Sequence, residues 1–366
     1  MIDNNNLLEG LQAQGIIRLC DGELLHKTPA PLPPDFDIGK IEGMLLGVAV
    51  GDSLGANAEG KTPAERRRIF GEIRDYVPGK RSKYQSVGVP TDDTQLTFWT
   101  LKQLISDDGL VPDNLAKRFC KRHIIGIGTT VTTFLHNYKD GHKPWYDAGL
   151  DSLGNGALMR VSPIILPYLR RPHRSMYADA ALDTMITHNS YANIAGCVAF
   201  VNILWALLAM KSPPEPHWWV DTYCSVAEGL EGNTQYSPRA SQYANYRGPL
   251  WQFTDKVVTD ALKRKLSVSE ACDQWGSGAN LFETVPSVLY ILSKHGQDTE
   301  EAIVRAVNDT KDNDTVAAIV GAAVGALNGL KSIPSRWIQG LTGRTRNNND
   351  GEVFKLILMA KNKFWC

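Results

Sequence analysis

The chain has 366 residues, of which 43% are hydrophobic and 21% charged, a composition typical of a soluble globular protein with one large core or two domains. Its 39 basic and 39 acidic residues cancel, so no overall positive field exists to hold nucleic acid or an anionic membrane, and we expect neither as a partner. The six cysteines form no Cys-x-x-Cys pair, and the N-terminus lacks the pattern of a secretion signal. Both features predict a cytoplasmic protein without a zinc knuckle.

Residues 1–37 are predicted to form an N-terminal arm. Two short apolar runs, 16–20 and 23–26, flank Asp21-Gly22, a dipeptide that indicates a β-hairpin. The proline-rich run 29–34 predicts a stiff, extended linker. Apolar residues in such an arm need something to pack against. Two interpretations stay open: the arm folds back on its own core or links subunits, or it docks on a partner protein.

A glycine stripe follows the linker. Gly43, Gly47, Gly51 and Gly55 recur every four residues in an apolar helical run, so one helix face carries no side chains. This spacing predicts close packing beside a functional site. Asp52 lies within the stripe, and a carboxylate among apolar residues must be paired or hydrogen-bonded. We expect Asp52 to orient the ligands of that site.

Two acidic clusters precede helical runs. Residues 91–94 (TDDT) follow Val89-Pro90 and open a helix with apolar spacing over 96–105, and residues 312–315 (DNDT) open the run 316–330. Either cluster alone would be an ordinary set of capping residues. Together they supply hard oxygen ligands suited to Mg²⁺, Mn²⁺ or Ca²⁺ rather than zinc.

The rest of the chain is predicted to be helical. Alternating, strand-like runs are almost absent after the arm, which indicates an all-α bundle. The apolar runs 194–210 and 316–327 are expected to be buried core helices rather than membrane spans. Further helices are predicted over 115–134, 176–187, 191–210, 218–230, 251–265, 268–275, 285–295, 299–307 and 352–363.

Four segments, taken in this order and at these separations, resemble the signature of the ADP-ribosylglycohydrolase family, helical enzymes that remove ADP-ribose from modified side chains. The segments are 47–55 (GVAVGDSLG), 91–94 (TDDT), 154–160 (GNGALMR) and 312–315 (DNDT). The resemblance runs from about residue 38 to near the C-terminus and makes 38–366 a catalytic domain. It implies a compact orthogonal multi-helix bundle with a binuclear metal centre, preceded by the arm.

The resemblance also implies a metal site. Two Mg²⁺ ions, with Mn²⁺ as an alternative, would be held by both acidic clusters. The implied ligand positions are Thr91, Asp92, Asp93, Asp312, Asp314 and Thr315. Glu59 matches the acidic residue that follows the glycine helix in the family, and Glu59 or Asp314 is expected to move the catalytic proton. Lys311 stands where a glycine often precedes the first aspartate, a departure that concerns the local loop conformation.

A substrate-binding set is implied as well. Its residues are Gly154, Asn155, Gly156, Arg160, His188 and Phe282. The glycine loop offers backbone amides for a diphosphate. Arg160 is either part of that cradle or a structural arginine, and His188 at a helix entrance is either a binding or a structural residue. Phe282 either stacks on the ligand or packs in the core.

The function implied is hydrolysis of the N-glycosidic bond between ADP-ribose and arginine side chains of proteins, reversing a toxin's modification. Within the same class, the alternative substrates are O-linked ADP-ribosyl serine and a free ADP-ribose derivative. From a different class, the protein is an immunity or binding module that blocks an ADP-ribosyltransferase toxin through its arm. A scaffold without activity is disfavoured because every ligand position is retained.

Overall fold

The computed structural model of the protein describes residues 3–365, and its regular elements there are all helical. Only isolated bridges such as Gly154 with Asn280 replace strands in this range, which confirms the all-α prediction. The α-helices of the described range are α1 Asn5–Ala13, α2 Gly39–Ala56, α3 Pro63–Phe70, α4 Asp92–Asp107, α5 Pro112–Cys120, α6 Thr129–Leu135, α7 Trp145–Ala148, α8 Ser175–Met185, α9 Tyr191–Ala209, α10 Trp218–Glu231, α11 Leu250–Lys263, α12 Val268–Trp275, α13 Leu281–His295, α14 Thr299–Asp309, α15 Asn313–Asn328, α16 Ser335–Gly340 and α17 Glu352–Ala360. Short 3₁₀ or π segments span Glu23–His26, His136–Asp140, Leu158–Arg160, Ser162–Tyr168, Ser241–Tyr243, Leu330–Ser332 and Lys361–Trp365.

The centre of the fold is the antiparallel pair α2 and α15. A Cβ atom at Gly47 would lie 2.0 Å from the carbonyl oxygen of Gly321, and one at Gly51 would lie 2.0 Å from that of Ala317. The two backbones are therefore in direct contact, which is the close packing that the glycine stripe predicts. No residue larger than glycine fits at these positions without moving a helix.

The same packing fixes where α15 begins. A Cβ atom at Gly55 would lie 2.5 Å from the Cα atom of Asp314, and Asn313 Nδ2 donates to the Gly55 carbonyl oxygen at 3.1 Å. The C-terminal end of α2 therefore lies against the acidic N-terminus of α15. This contact places the second acidic cluster beside the helix that carries Asp52.

One long predicted helix is interrupted. The prediction over 115–134 is wrong at its centre, because α5 ends at Cys120 and α6 begins only at Thr129. The intervening turn contains Gly126, whose φ of +76° is left-handed and favours glycine. This turn brings the backbone of Gly126 to the acidic cluster, where its Cβ position lies 3.1 Å from Asp92 Oδ1.

The arm packs on the core of its own chain. The hairpin prediction is wrong: α1 and the 3₁₀ turn Glu23–His26 form instead, and Gly22 allows close contact with α10, since a Cβ atom there would lie 2.9 Å from the Gly229 carbonyl oxygen. Asn4 Nδ2 donates to Asp179 Oδ1 at 2.6 Å, and Cys20 N donates to the Leu230 carbonyl oxygen at 2.9 Å. The buried apolar residues of the arm are Leu8, Leu11, Ile17, Leu19 and Leu25.

Helix α9 is apolar along its whole length. Within residues 3–365 it is the one helix long and apolar enough to cross a membrane. Its most apolar 18-residue stretch has a mean hydropathy of 1.9, and 83% of that stretch is buried inside the protein. Burial of this extent is what a core helix shows, and it agrees with the sequence-based expectation for 194–210.

Candidate active site

Asp52 caps the first acidic cluster from a different helix. The backbone N–H groups of Thr91 and Thr94, at the start of α4, donate to the Asp52 carboxylate at 2.9 and 3.0 Å. Both threonine hydroxyls donate to the same carboxylate, at 2.9 and 2.5 Å. Helix α4 therefore takes its N-terminal cap from α2, which fixes the orientation of Asp92 and Asp93. The contact agrees with the orienting role expected for Asp52, and that role stays a prediction.

The second acidic cluster is held by neighbouring loops. The Ser277 carbonyl oxygen accepts from the backbone N–H groups of Lys311 and Asp312 at 3.1 and 2.8 Å. Asn155 Nδ2 donates to Asp312 Oδ2 at 2.6 Å and to Thr284 Oγ1 at 2.9 Å. Asn155 therefore ties the glycine loop to the start of α15.

The fold brings the two clusters together. Oxygen atoms of Asp52, Asp93 and Asp314 lie within 4.8 Å of one another, and all three side chains are buried. Asp92, Asp312, Thr315 and Glu59 line the same cavity, whose volume is about 580 Å³. The Thr91 hydroxyl lies between Asp52 Oδ1 and Asp93 Oδ2, at 2.9 and 3.1 Å. All six predicted ligand positions thus converge, and their role in ligation stays a prediction.

The carboxylates of this cluster destabilise one another. Burial, and then the charge of neighbouring carboxylates, raise the pKa values of Asp93 and Asp314 well above their usual range. Burial also raises the pKa of Asp312, to about 6. Asp93 Oδ1 is buried and has no hydrogen-bond partner within residues 3–365. Such a group is costly unless a cation or proton satisfies it.

The donor set fits a hard divalent cation. The Asp52 oxygens are already engaged by α4, whereas Asp93 Oδ1 is unsatisfied and Asp314 Oδ1 accepts only from the adjacent Thr315 N–H among the described residues. Carboxylate and hydroxyl oxygens without histidine or cysteine are the ligands that Mg²⁺ and Mn²⁺ prefer. A bound cation would remove the charge repulsion that raises these pKa values.

Glu59 lies at the rim of the cavity and is paired. Its carboxylate accepts from Arg81 Nη2 at 2.6 Å, and 37% of its side chain is exposed. Because Glu59 both lines the cavity and is partly exposed, it is positioned to meet a ligand that enters the cavity.

The glycine loop and His188 form a further part of the cavity wall. A Cβ atom at Gly154 would lie 3.3 Å from His188 Nε2, and one at Gly156 would lie 3.2 Å from His188 Cε1. Both glycines, Asn155 and His188 line the cavity. A side chain at either glycine would press on the imidazole ring by a few tenths of an ångström, so glycine lets the loop lie close to the ring.

Two predicted substrate contacts are wrong. Arg160 is fully buried, with Nη1 2.6 Å from Asp183 Oδ1 and its guanidinium over the Phe119 ring, so it is a structural arginine and reaches no diphosphate. Phe282 is also fully buried, 5.1 Å from the Phe253 ring centroid, and stacks on no ligand. In both cases the structure shows the alternative in which the side chain packs in the core.

The sequence left several cavity residues undetected. Arg239 lines the cavity and is its one guanidinium among residues 3–365, against five carboxylates. No motif marks Arg239, so no signal in the chain could have found it. Gly126 and Gly128 also line the wall, and the Gly-Ile-Gly spacing was the available indication of a loop there.

Known proteins that resemble this chain were found by sequence and by structure. The profile of the ADP-ribosylglycohydrolase family matches residues 33–362. A protein of Archaeoglobus fulgidus described as uncharacterized is 30% identical over 314 residues, which cover 83% of this chain and 92% of that one. ADP-ribosylhydrolase ARH3 of Xenopus tropicalis is 25% identical, over 82% of this chain and 90% of its own length.

Two further relatives bear on the comparison. ADP-ribosylarginine hydrolase Tri1 of Serratia proteamaculans is 24% identical over 351 residues, 92% of this chain and 84% of that one. A solved structure described as an ADP-ribosylglycohydrolase-related protein complex superposes with a TM-score of 0.65 at 24% identity, covering 89% of this chain and 98% of that one, and shows the shared fold. With the profile spanning nearly the whole chain and both acidic clusters meeting in one cavity, the chain belongs to the ADP-ribosylglycohydrolase family.

Proposed function

We propose that the protein hydrolyses the N-glycosidic bond between ADP-ribose and arginine side chains of proteins, with two Mg²⁺ ions in the acidic cluster. The family hydrolyses ADP-ribose linkages and is metal-dependent. The observation that carries the proposal is the convergence of Asp93 and Asp314, which are far apart in the sequence, in a cavity that the glycine loop also lines.

The charge of the cluster supports two ions. Asp92, Asp93, Asp312 and Asp314 carry four negative charges when ionised, and two divalent cations would balance them, whereas Asp52 is stabilised by the hydrogen bonds from Thr91 and Thr94. Mn²⁺ takes the same oxygen ligands and is an alternative. When bound, such ions supply electrophilic assistance to the sugar and a polarised water molecule.

The chain's own groups bind and orient the substrate. Gly154 N already donates to Ser152 Oγ at 3.1 Å, so the amide that would bind a diphosphate is that of Gly156, and Asn155 holds the loop against Asp312. Glu59 at the rim, or Asp314 within the cluster, moves the proton that accompanies departure of the guanidine. Helix α4, capped by Asp52, keeps Asp92 and Asp93 in place without rearrangement.

The choice of arginine has one support. Similarity to the relative named ADP-ribosylarginine hydrolase extends over 92% of this chain, whereas the ARH3 relative of Xenopus tropicalis aligns with 82%. O-linked ADP-ribosyl serine is the competing substrate.

The test is a hydrolysis assay on arginine-linked and serine-linked ADP-ribosyl protein, with Mg²⁺ or with a chelator. We expect Mg²⁺-dependent release of the whole ADP-ribosyl group from arginine, read by mass spectrometry. Asp314→Asn should reduce the rate by at least about a thousandfold. Asp260→Asn is the matched control, because Asp260 pairs with Arg264 at the surface and should leave the rate unchanged.

Four outcomes would count against the proposal. Hydrolysis of the serine linkage alone would replace arginine by serine as the substrate. Full activity of Asp314→Asn, or activity that persists with a chelator, would remove the metal site from the mechanism. Cleavage between the phosphates, leaving phosphoribose on the arginine, would indicate a pyrophosphatase.

A second candidate function is blockage of an ADP-ribosyltransferase toxin through the arm. One observation favours it: a groove of about 450 Å³ lies between α1 and the α5–α7 region, with Leu7 and Tyr146 exposed at its edge. The other leucines of α1, Leu8 and Leu11, are buried, so the contact would have to use this groove. Leu7→Asp and Tyr146→Asp should weaken capture of a purified transferase and leave hydrolysis intact; unchanged capture would leave only the hydrolase.

A further inference from the structure

A buried chain of polar contacts ends at His188. Asp183 Oδ1 accepts from Arg160 Nη1 at 2.6 Å, and the two side chains are fully buried. Arg160 Nη2 donates to the Asp183 carbonyl oxygen and to Thr187 Oγ1, each at 2.9 Å. Thr187 Oγ1 in turn lies 2.8 Å from His188 Nδ1. The function proposed above uses none of these contacts.

The direction of the hydrogen bond between Thr187 and His188 follows from the hydrogen bond between Arg160 and Thr187. A guanidinium has only donors, so Thr187 Oγ1 accepts from Arg160 and keeps its own hydrogen free. Within residues 3–365 the one acceptor in reach of that hydrogen is His188 Nδ1. If Nδ1 carried a proton instead, the buried threonine hydrogen would have no partner, at a cost of about 1–3 kcal/mol. Nδ1 is therefore the acceptor.

The imidazole ring is neutral, so its single proton lies on the other nitrogen. Burial and the positive charge of Arg160 lower the pKa of His188 to about 3. The backbone holds the ring in place, because His188 N donates to the Thr184 carbonyl oxygen at 2.9 Å and the next residue pairs with Leu150. The Nε2 edge faces the glycine loop at the cavity wall, 3.3 Å from the Cβ position of Gly154.

We propose that Asp183, Arg160 and Thr187 are positioning residues that lock His188 as the Nε2–H tautomer, so that the cavity wall presents a fixed hydrogen-bond donor to an oxygen of the bound ligand. The ligand class is an anionic or hydroxyl oxygen acceptor, and the assignment to ADP-ribose rests on the proposed function. The opposite tautomer would present a lone pair and repel a phosphate oxygen. Arg160 thus acts on the ligand through two other side chains, although it touches no ligand itself.

The tautomer can be measured directly in the wild-type protein without metal or substrate. Long-range ¹H–¹⁵N correlation spectra distinguish protonated from unprotonated ring nitrogens, and a His188→Asn variant identifies the signal by its loss. We expect one species, with Nε2 protonated and Nδ1 unprotonated, between pH 6 and 8. A protonated Nδ1, or an equal mixture of both forms, would overturn the proposal.

Two variants of Thr187 test the relay. Thr187→Val keeps the shape and removes the hydroxyl, whereas Thr187→Ser keeps the hydroxyl and is the matched control. In Thr187→Val we expect a mixture of tautomers and ADP-ribose binding weakened by a few-fold to about tenfold, measured by calorimetry. Thr187→Ser should show the wild-type tautomer and an affinity within about twofold of the wild type.

The outcomes separate this inference from the proposed function. If ADP-ribose binds the wild type and Thr187→Val alters neither tautomer nor affinity, the relay is refuted while the hydrolase stands. If the wild type does not bind ADP-ribose, the proposed function fails, and with it the assignment of the donor to that ligand. Far-ultraviolet circular dichroism confirms that both variants are folded, and the wild-type spectrum decides the tautomer even if one variant is not.

Discussion

Replacing Gly47 by alanine tests the contact between α2 and α15. The added Cβ atom would lie 2.0 Å from the Gly321 carbonyl oxygen, whereas ordinary contacts begin at 3.4 Å. The helices must therefore separate by up to 3.4 − 2.0 = 1.4 Å, because the neighbouring atoms belong to backbone on both sides. The change gains about 1 kcal/mol of helix propensity but costs about 3 kcal/mol or more of overpacking. We expect a net loss of about 2 kcal/mol.

The same substitution at Gly10 is the control. Gly10 lies in α1, and its Cβ position has nothing within 4 Å, so Gly10→Ala should stabilise the protein by about 0.5–1 kcal/mol. Urea unfolding followed by circular dichroism, with a chelator present, measures both free energies of unfolding. If Gly47→Ala were as stable as the wild type, the backbone contact between α2 and α15 would not exist as described.

Three further predictions concern other parts of the molecule. Burial raises the pKa of Asp179 to about 7, so the folded protein holds this proton more tightly than the unfolded chain. The free energy of unfolding should therefore fall as pH rises from about 4 to about 7, and Asp179→Asn should make this fall less steep. The same pH dependence of stability in the wild type and the variant would contradict the prediction. Deletion of residues 1–37 should lower the melting temperature and cause aggregation, seen by light scattering, because it uncovers the surface under Leu8 and Leu11; an unchanged melting temperature would show that the arm is dispensable. Phe282→Ala should lower the free energy of unfolding by about 3–5 kcal/mol, measured with urea, with little change in ADP-ribose affinity. A large loss of affinity at unchanged stability would show instead that the ring contacts the ligand.

Features with a short-range signal could be predicted from the sequence. Helical periodicity identified most helices, because the apolar spacing that buries one helix face can be read from a short stretch of sequence. The glycine spacing at Gly43–Gly55 predicted a close helix contact, since no other residue leaves a bare helix face. The acidic clusters were found because a carboxylate pair at a helix entrance is visible in four residues.

Features that depend on tertiary surroundings could not be predicted. Arg160 and Phe282 follow family motifs closely, and only the burial of their side chains against Asp183 and Phe253 shows that they are structural. The Asp21-Gly22 hairpin signal failed because Gly22 serves an approach to α10 rather than a turn. Arg239 reaches the cavity through the fold alone.

The contact between α2 and the start of α15 also has a consequence for synthesis. Asn313 and Gly55 are hydrogen-bonded partners 258 residues apart in the sequence, so α2 leaves the ribosome long before its partner helix is made. Until then, a helix whose residues are nearly all buried in the finished protein can contact α4 through Asp52 but lacks the helix that covers its glycine face, and contacts of such long range form late in folding. The growing chain therefore carries a partly uncovered apolar helix through most of its translation, and its yield should depend on chaperones that shield nascent chains.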